Sequence, residues 1–125
     1  MSEPAAIVRA YLAAMEAREL DKAKAMLGDG FEMVFPGTGV MTTLEQLIKW
    51  GAPRYRSIGK TYDGFDTVPG GDGRSVVYCF GTLAGQWPDG TAFDGIRFID
   101  RFEVTQNLIT RQDVWNDLAE VKARG

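Results

Sequence analysis

The sequence predicts an α+β fold in which a curved antiparallel sheet wraps around three N-terminal helices, forming a cone with an internal pocket. Three observations predict it. The N-terminal part carries helical periodicity, and from Lys60 onward the chain alternates apolar and polar residues between Gly- and Pro-rich turns. Two of the strands so marked are long, and the first holds Gly81 and Gly85. Glycines inside long strands mark bulges or bends, so the sheet should curl strongly. A length of 125 residues, 45% of them hydrophobic, suits one domain spanning residues 1–125.

The first helix is expected from Pro4 to Arg18, with Ser2 as N-cap and proline in the first turn. Its apolar stripe is Ile7, Val8, Tyr11, Leu12 and Met15. A second helix is expected over Leu20 to Leu27, ending at Gly28-Asp29-Gly30, followed by a short strand from Phe31 to Phe35. A third helix should open at Thr42, where Thr42 and Glu45 form a capping box, and end near Pro53. The β pattern then runs through Lys60–Val68, Ser75–Trp87, Ala92–Val104 and Leu108–Trp115. Connections this short make an antiparallel meander.

Composition excludes several chemistries. The chain has no histidine, which removes Ser-His and Cys-His nucleophilic systems, imidazole bases and histidine metal sites. The single cysteine, Cys79, cannot form an internal disulfide and reads as a small core hydrophobe in a reducing, cytoplasmic setting. A net charge of −3 and the absence of a basic run beyond Arg54 and Arg56 argue against nucleic acid and acidic membranes as partners. No apolar run reaches the ~18 residues of a membrane span, and the start MSEPAAIVRA lacks the pattern of a signal peptide. No metal or cofactor is expected.

Asp100 lies in the apolar row Ile96, Phe98, Asp100, Phe102, Val104 of a strand. Side chains alternate faces, so it should point inward between two phenylalanines. Such an acid either meets a specific donor or stays protonated, since an isolated carboxylate out of water is very costly. Placement of this kind marks functional pockets, although structural ion-pair networks share it. Tyr11 is central to the first helix's stripe and is the other candidate; its alternative is a core tyrosine bonded to a backbone carbonyl. The alternative for Asp100 is a pairing with Tyr11 or a tryptophan N–H that holds helix to sheet. Asp94 shares the Asp100 row by alternation and is the candidate general base. The Arg54-Tyr55-Arg56 run reads as surface, with anion steering at the pocket mouth as the minority view.

The element order and three segments resemble the nuclear transport factor two-like superfamily, which includes ketosteroid isomerase and the SnoaL-like polyketide cyclases, of the cystatin-like α+β barrel type. AYLAAMEARELDKAKAML is similar to the isomerase opening, whose tyrosine donates to the substrate oxyanion; Tyr11 falls on it. FIDRFEV resembles the segment carrying the second donor, an aspartic acid kept protonated by its apolar setting; Asp100 falls on it. FEMVFPG resembles the segment holding the general base, and Phe35 stands at that position. The resemblance therefore implies a filled oxyanion hole without the family's base. The epoxide-hydrolase branch fits worse, with Phe98 and Val114 at two of its polar positions.

The tail LITRQDVWND resembles the SnoaL-like ending and puts Thr110, Gln112, Val114 and Asn116 toward the cavity, with Arg111, Asp113 and Trp115 outward. Phe35, Phe80, Phe98, Phe102, Gln112, Val114 and Asn116 are then expected to contact a small hydrophobic molecule. Two functions remain open. One is an enzyme acting on a hydrophobic carbonyl compound by isomerisation, cyclisation or hydration. The other is a noncatalytic small-molecule-binding or dimerisation module. Apolar residues on both rows of Ser75–Trp87 and the outward Trp115 suggest a homodimer through the convex sheet face.

Overall fold

The computed structural model describes residues 3–124. In chain order the elements are helix α1 (Pro4–Glu16), helix α2 (Leu20–Lys24), strand β1 (Leu27–Val34), helix α3 (Leu44–Gly51), strands β2 (Ser57–Gly71), β3 (Arg74–Gln86), β4 (Ala92–Thr105) and β5 (Leu108–Asn116), and helix α4 (Leu118–Arg124). The strands form one curved sheet in the order β1-β5-β4-β3-β2. Strands β2 to β5 are the antiparallel meander expected from the short turns. The sheet is nevertheless mixed, because β1 pairs with β5 in parallel, Glu32 opposite Arg111 and Met33 opposite Gln112.

Helix α1 buries Ile7, Val8, Tyr11, Leu12, Ala14 and Met15 against the sheet, the stripe read from the sequence with one alanine added. Its N-cap position is Glu3; Ser2, the expected cap, lies outside the described residues. Arg18 follows in a left-handed conformation (φ 58°) and its N–H donates to the Met15 carbonyl. Helix α2 is shorter than its sequence suggests. Leu27 is already a strand residue paired with Ile109, because β5 offers free backbone partners that outweigh the modest propensity of a short helix. The capping box of α3 is shifted by one residue from expectation. Thr43 accepts from the Gln46 N–H at 3.2 Å, and the Gln46 side chain accepts from the Thr43 N–H at 3.1 Å.

The sheet bends where the glycines are. The β2–β3 register shifts between Tyr62 and Gly64, opposite Gly81, and the β3–β4 register shifts between Leu83 and Gly85. A methyl group on Gly81 would collide with the Thr61 carbonyl oxygen, and one on Gly85 with that of Ser57. Strand β3 could not approach β2 this closely with a side chain at either position. The concave side holds the core: Val77, Cys79 and Leu83 of β3, Ile96, Phe98 and Phe102 of β4, and Ile109 of β5 under α1.

The convex side carries a ladder of charges. Arg101 bonds Glu103, Arg74 bonds Glu103, and Arg111 bonds Asp113. The row of β3 with Tyr78 and Phe80 is on this side, since Cys79 and not Phe80 is paired with Asp100. Among the described residues no helix is long and apolar enough to cross a membrane.

Cys79 lies within the sheet, closed to solvent, with Asp100 beside it. Burial first, then the charge of Asp100, pushes its thiol from an ordinary 9.0 up to about 12. The folded chain thus holds this proton where the unfolded chain releases it. The contribution to stability is complete below pH 9.0 and is lost as pH rises toward 12. Urea unfolding midpoints should fall with pH across this range, and Cys79→Ala should make the decline shallower.

Candidate functional site

A cavity of about 400 Å³ opens between the C-terminal end of α1, helix α3 and the concave sheet. Its walls are mostly apolar and aromatic. Helix α1 supplies Leu12 and Met15, helix α3 Leu47 and Trp50, and the sheet Ile58, Tyr62, Leu83, Phe98 and Val114. Phe35, just after β1, packs edge-on against Trp50 with ring centroids 5.3 Å apart. Leu118, the first residue of α4, closes one side. Pockets of this size and character, with a few converging polar groups, are the usual form of a small-molecule site.

The polar centre is a pair. Lys60 Nζ donates to Asp100 Oδ2 at 2.8 Å. The two residues are on β2 and β4, with β3 between them, so the lysine stem reaches across Leu83 and Cys79 to arrive there. The Asp100 side chain is 0% exposed and the Lys60 side chain 22%. The ammonium is also 4.9 Å from the centre of the Phe98 ring, a cation–π distance. Asp100 therefore faces inward as its row requires, and its specific donor is Lys60. The neutral, proton-bearing form implied by the family resemblance has a direct competitor here, because an ammonium donor is best accepted by a carboxylate.

Tyr11 contacts Phe102 edge-on at 6.2 Å and borders the same cavity floor. Burial, then the negative charge of Asp100, raises the pKa of its hydroxyl, so the phenol remains a proton donor at neutral pH. Three polar atoms at this floor have no hydrogen-bond partner among the described residues: Tyr11 Oη, Asp100 Oδ1 and Gln112 Oε1. A buried polar atom left unpaired costs about 1–3 kcal/mol, so three on one surface is an unusual concentration. All three side chains are nonetheless closed to bulk solvent, at 1%, 0% and 2% residue exposure. Lys60, 22% exposed, is the more open member of this inner polar group.

Of the residues expected from sequence, Tyr11, Phe35, Phe98, Asp100, Gln112, Val114 and Asn116 all border this cavity. Three others do not. Asp94 is exposed, because the β-bulge with Gly95 at φ 65° shifts the alternation: Phe93 and Ile96 point inward and Asp94 points out. It cannot be the base at this site. Phe80 lies on the convex row, covering Gly64 across β2. Phe102 is fully buried core, one step below the cavity against Tyr11. Asn116 borders the cavity, but its Oδ1 accepts the Leu118 N–H at 3.1 Å and so starts α4, a helix the sequence reading missed.

Lys60 was also missed. Its signal was present in the row Ile58, Lys60, Tyr62, where one cation interrupts an apolar face as Asp100 does on β4. Starting the strand at Lys60 instead of Ser57 hid that row. At the cavity mouth, Glu16, Arg18, Tyr55 and Arg56 complete the lining. Among the described residues, no group of three His, Cys, Asp or Glu side chains could hold a metal.

No protein-family model matches the sequence, and no curated protein matches it. Solved structures do match over nearly the whole chain. An NTF2-like protein of unknown function from Burkholderia pseudomallei superposes with a TM-score of 0.79 at 18% identity, covering 98% of this chain and 97% of its own. TerC, co-crystallised with polyporic acid, gives 0.75 at 17% identity, covering 94% and 93%. A putative SnoaL-like polyketide cyclase from Jannaschia sp. CCS1 gives 0.67 at 16% identity, covering 98% and 94%. The chain has the NTF2-like fold.

Removing one member of a buried ion pair strands the other, at about 3–5 kcal/mol where both are fully buried. Lys60 is partly exposed, so Lys60→Met should cost about 3 kcal/mol in urea unfolding. Adding Asp100→Asn to it should recover more than about 1 kcal/mol of the summed single losses. Additive losses would mean that the pair carries no coupling.

Proposed function

We propose that the cavity binds a small hydrophobic compound with a carbonyl-type oxygen, seated with that oxygen at Lys60. The observation that carries this reading is the Lys60–Asp100 pair at the inner end of an apolar cavity. An ammonium has three N–H donors, and hydrogen bonds among the described residues use one of those on Lys60. The others remain for a ligand oxygen, and a charge-assisted donor in apolar surroundings is a strong one. Asp100 is then a positioning residue, which fixes the lysine head. The Tyr11 hydroxyl is a second donor, reached when the ligand displaces the side chains over the floor. The apolar walls supply affinity, at about 25 cal/mol per Å² of surface removed from water.

A catalytic reading, of the SnoaL-like or isomerase kind, is favoured by one specific observation: Asp100 Oδ1 is a carboxylate oxygen without a partner among the described residues. It could take a proton from the carbon next to the carbonyl while Lys60 and Tyr11 hold the enolate oxygen. Phe35 fills the position of the family base and Asp94 faces away, which leaves Asp100 as the carboxylate at the cavity floor for that role. Binding is the primary reading because Lys60 already occupies the other oxygen.

The test uses 4-phenylbutan-2-one and an alkylbenzene of the same length, titrated calorimetrically. The ketone should bind at least about tenfold tighter, equivalent to about 1.4 kcal/mol, and Lys60→Met should remove that preference. Equal affinity for the two probes would sink the reading. Incubation in D₂O then separates the roles: deuterium entering beside the carbonyl, and lost in Asp100→Asn, means catalysis; unlabelled ketone means binding alone.

The convex face is proposed to meet a second copy of the chain. Ile99 and Trp115 are direct cross-strand neighbours, 38% and 54% exposed, in the middle of charges already paired with one another. Such a patch can be buried without stranding a charge. Sedimentation should give a dimer, and Trp115→Glu a monomer; a monomeric parent chain would refute it.

A further inference from the structure

The cations of the cavity outnumber its acids, and the excess is at the mouth. The lining holds Lys60, Arg18 and Arg56 against Asp100 and Glu16. Lys60 and Asp100 satisfy each other. Arg18 and Arg56 have no carboxylate within salt-bridge reach among the described residues; their guanidinium hydrogen bonds go to the carbonyls of Met15, at 3.3 Å, and Pro88, at 3.2 Å. Asp89 feels the charge of Arg56, but its carboxylate is held first by the Thr91 hydroxyl and N–H. Glu16 lies on the side of Gly59, where its Oε1 is 3.7 Å from the position a β-carbon would take.

Arg18 is also held against its preference. Its φ of 58° is a conformation that glycine adopts freely at helix ends and a long side chain adopts at a cost. Glycine would serve the turn better, and an arginine there puts a cation over the cavity mouth. Strain kept at a lining position points toward a role for the side chain.

We infer that the ligand carries an anionic group, a carboxylate, at the end opposite its carbonyl, and that Arg18 and Arg56 receive it at the mouth. The substrate class is then a hydrophobic keto acid. The carbonyl end lies at Lys60 and the carboxylate end stays away from Asp100, which leaves Glu16, outnumbered by the two guanidiniums, as the like charge at the mouth. The bound carboxylate brings the lining to charge balance. This inference rests on the ligand-cavity reading above and names its ligand more narrowly.

The test pairs 4-(4-acetylphenyl)butanoate with its methyl ester, titrated calorimetrically at low salt. The acid should bind about tenfold tighter than the ester, as expected of charge-assisted pairing at a partly exposed site. Arg18→Gly should weaken the acid far more than the ester and so remove most of that advantage, and should raise the melting temperature by relieving the strained φ. Arg56→Gln should act in the same direction on the acid alone. The advantage should also shrink in 0.5 M salt.

Equal affinity for acid and ester, or an advantage untouched by both variants, overturns the inference and leaves the ketone-binding reading standing. Tighter binding of the ester overturns it too. If neither probe binds, the inference falls, and the ketone titration above decides the ligand-cavity reading separately.

Discussion

The structure depends on one contact made across a strand. Lys60 on β2 and Asp100 on β4 are separated by β3 and are also out of line along it, Lys60 opposite Leu83 and Asp100 opposite Cys79. Only a long side chain lying over the concave face closes that gap to 2.8 Å. The pair therefore needs the sheet to curl, so that the lysine stem can lie along Leu83 and Phe98 rather than in solvent. It also needs small or flexible backbone at the bends, which is what Gly81 and Gly85 supply by letting β2 approach β3 more closely than any side chain would allow. Without a cation Asp100 would be an acid in a dry core, and without the acid Lys60 would be free to swing toward water.

That dependence explains which parts of the site were legible in the sequence. Alternation along a strand is reliable wherever the ladder is regular. It put Phe98 and Asp100 inward, and Gln112 and Val114 beside them, because the β4–β5 register is unbroken from Phe98 to Glu103. It fails at a bulge, where one extra residue moves everything beyond it to the other face. Asp94 was lost in this way at Gly95, a glycine whose positive φ is visible only in the fold. Phe80 was misread because both rows of β3 are apolar, so hydrophobicity could not say which faced the core. The one regular row that could have supplied Lys60 was cut short at its own first residue.

The helices show the same limit in a different form. Helix α1 was legible because five buried positions, from Ile7 to Met15, recur at helical spacing over about two turns. The segment after it was not, since Leu27 finds a parallel partner on β5, a long-range pairing about which local pattern says nothing. The capping box was displaced by one residue because Thr42 and Thr43 are adjacent, and either can accept from the turn that follows. Helix α4 begins on an asparagine side chain and buries only Leu118, too little periodicity to announce itself.

The distribution of charge separates the two faces of the sheet. On the convex side Arg74, Arg101 and Arg111 each have a carboxylate, and Arg97 near the sheet's end has Asp117. The chain as a whole holds 17 acids against 14 bases, so acids are not scarce. Yet around the cavity mouth the guanidiniums of Arg18 and Arg56 turn to backbone carbonyls, and Arg54 stacks 4.2 Å above Trp50, whose ring lines the cavity. A surface that simply optimised its ion pairs would have spread its surplus acids there. Two guanidiniums at that rim without a carboxylate partner among the described residues suit an anion that arrives from outside. On the proposed reading the inner pair and the outer arginines do different work: the pair orients one end of a bound molecule, and the rim selects for a negative charge at the other.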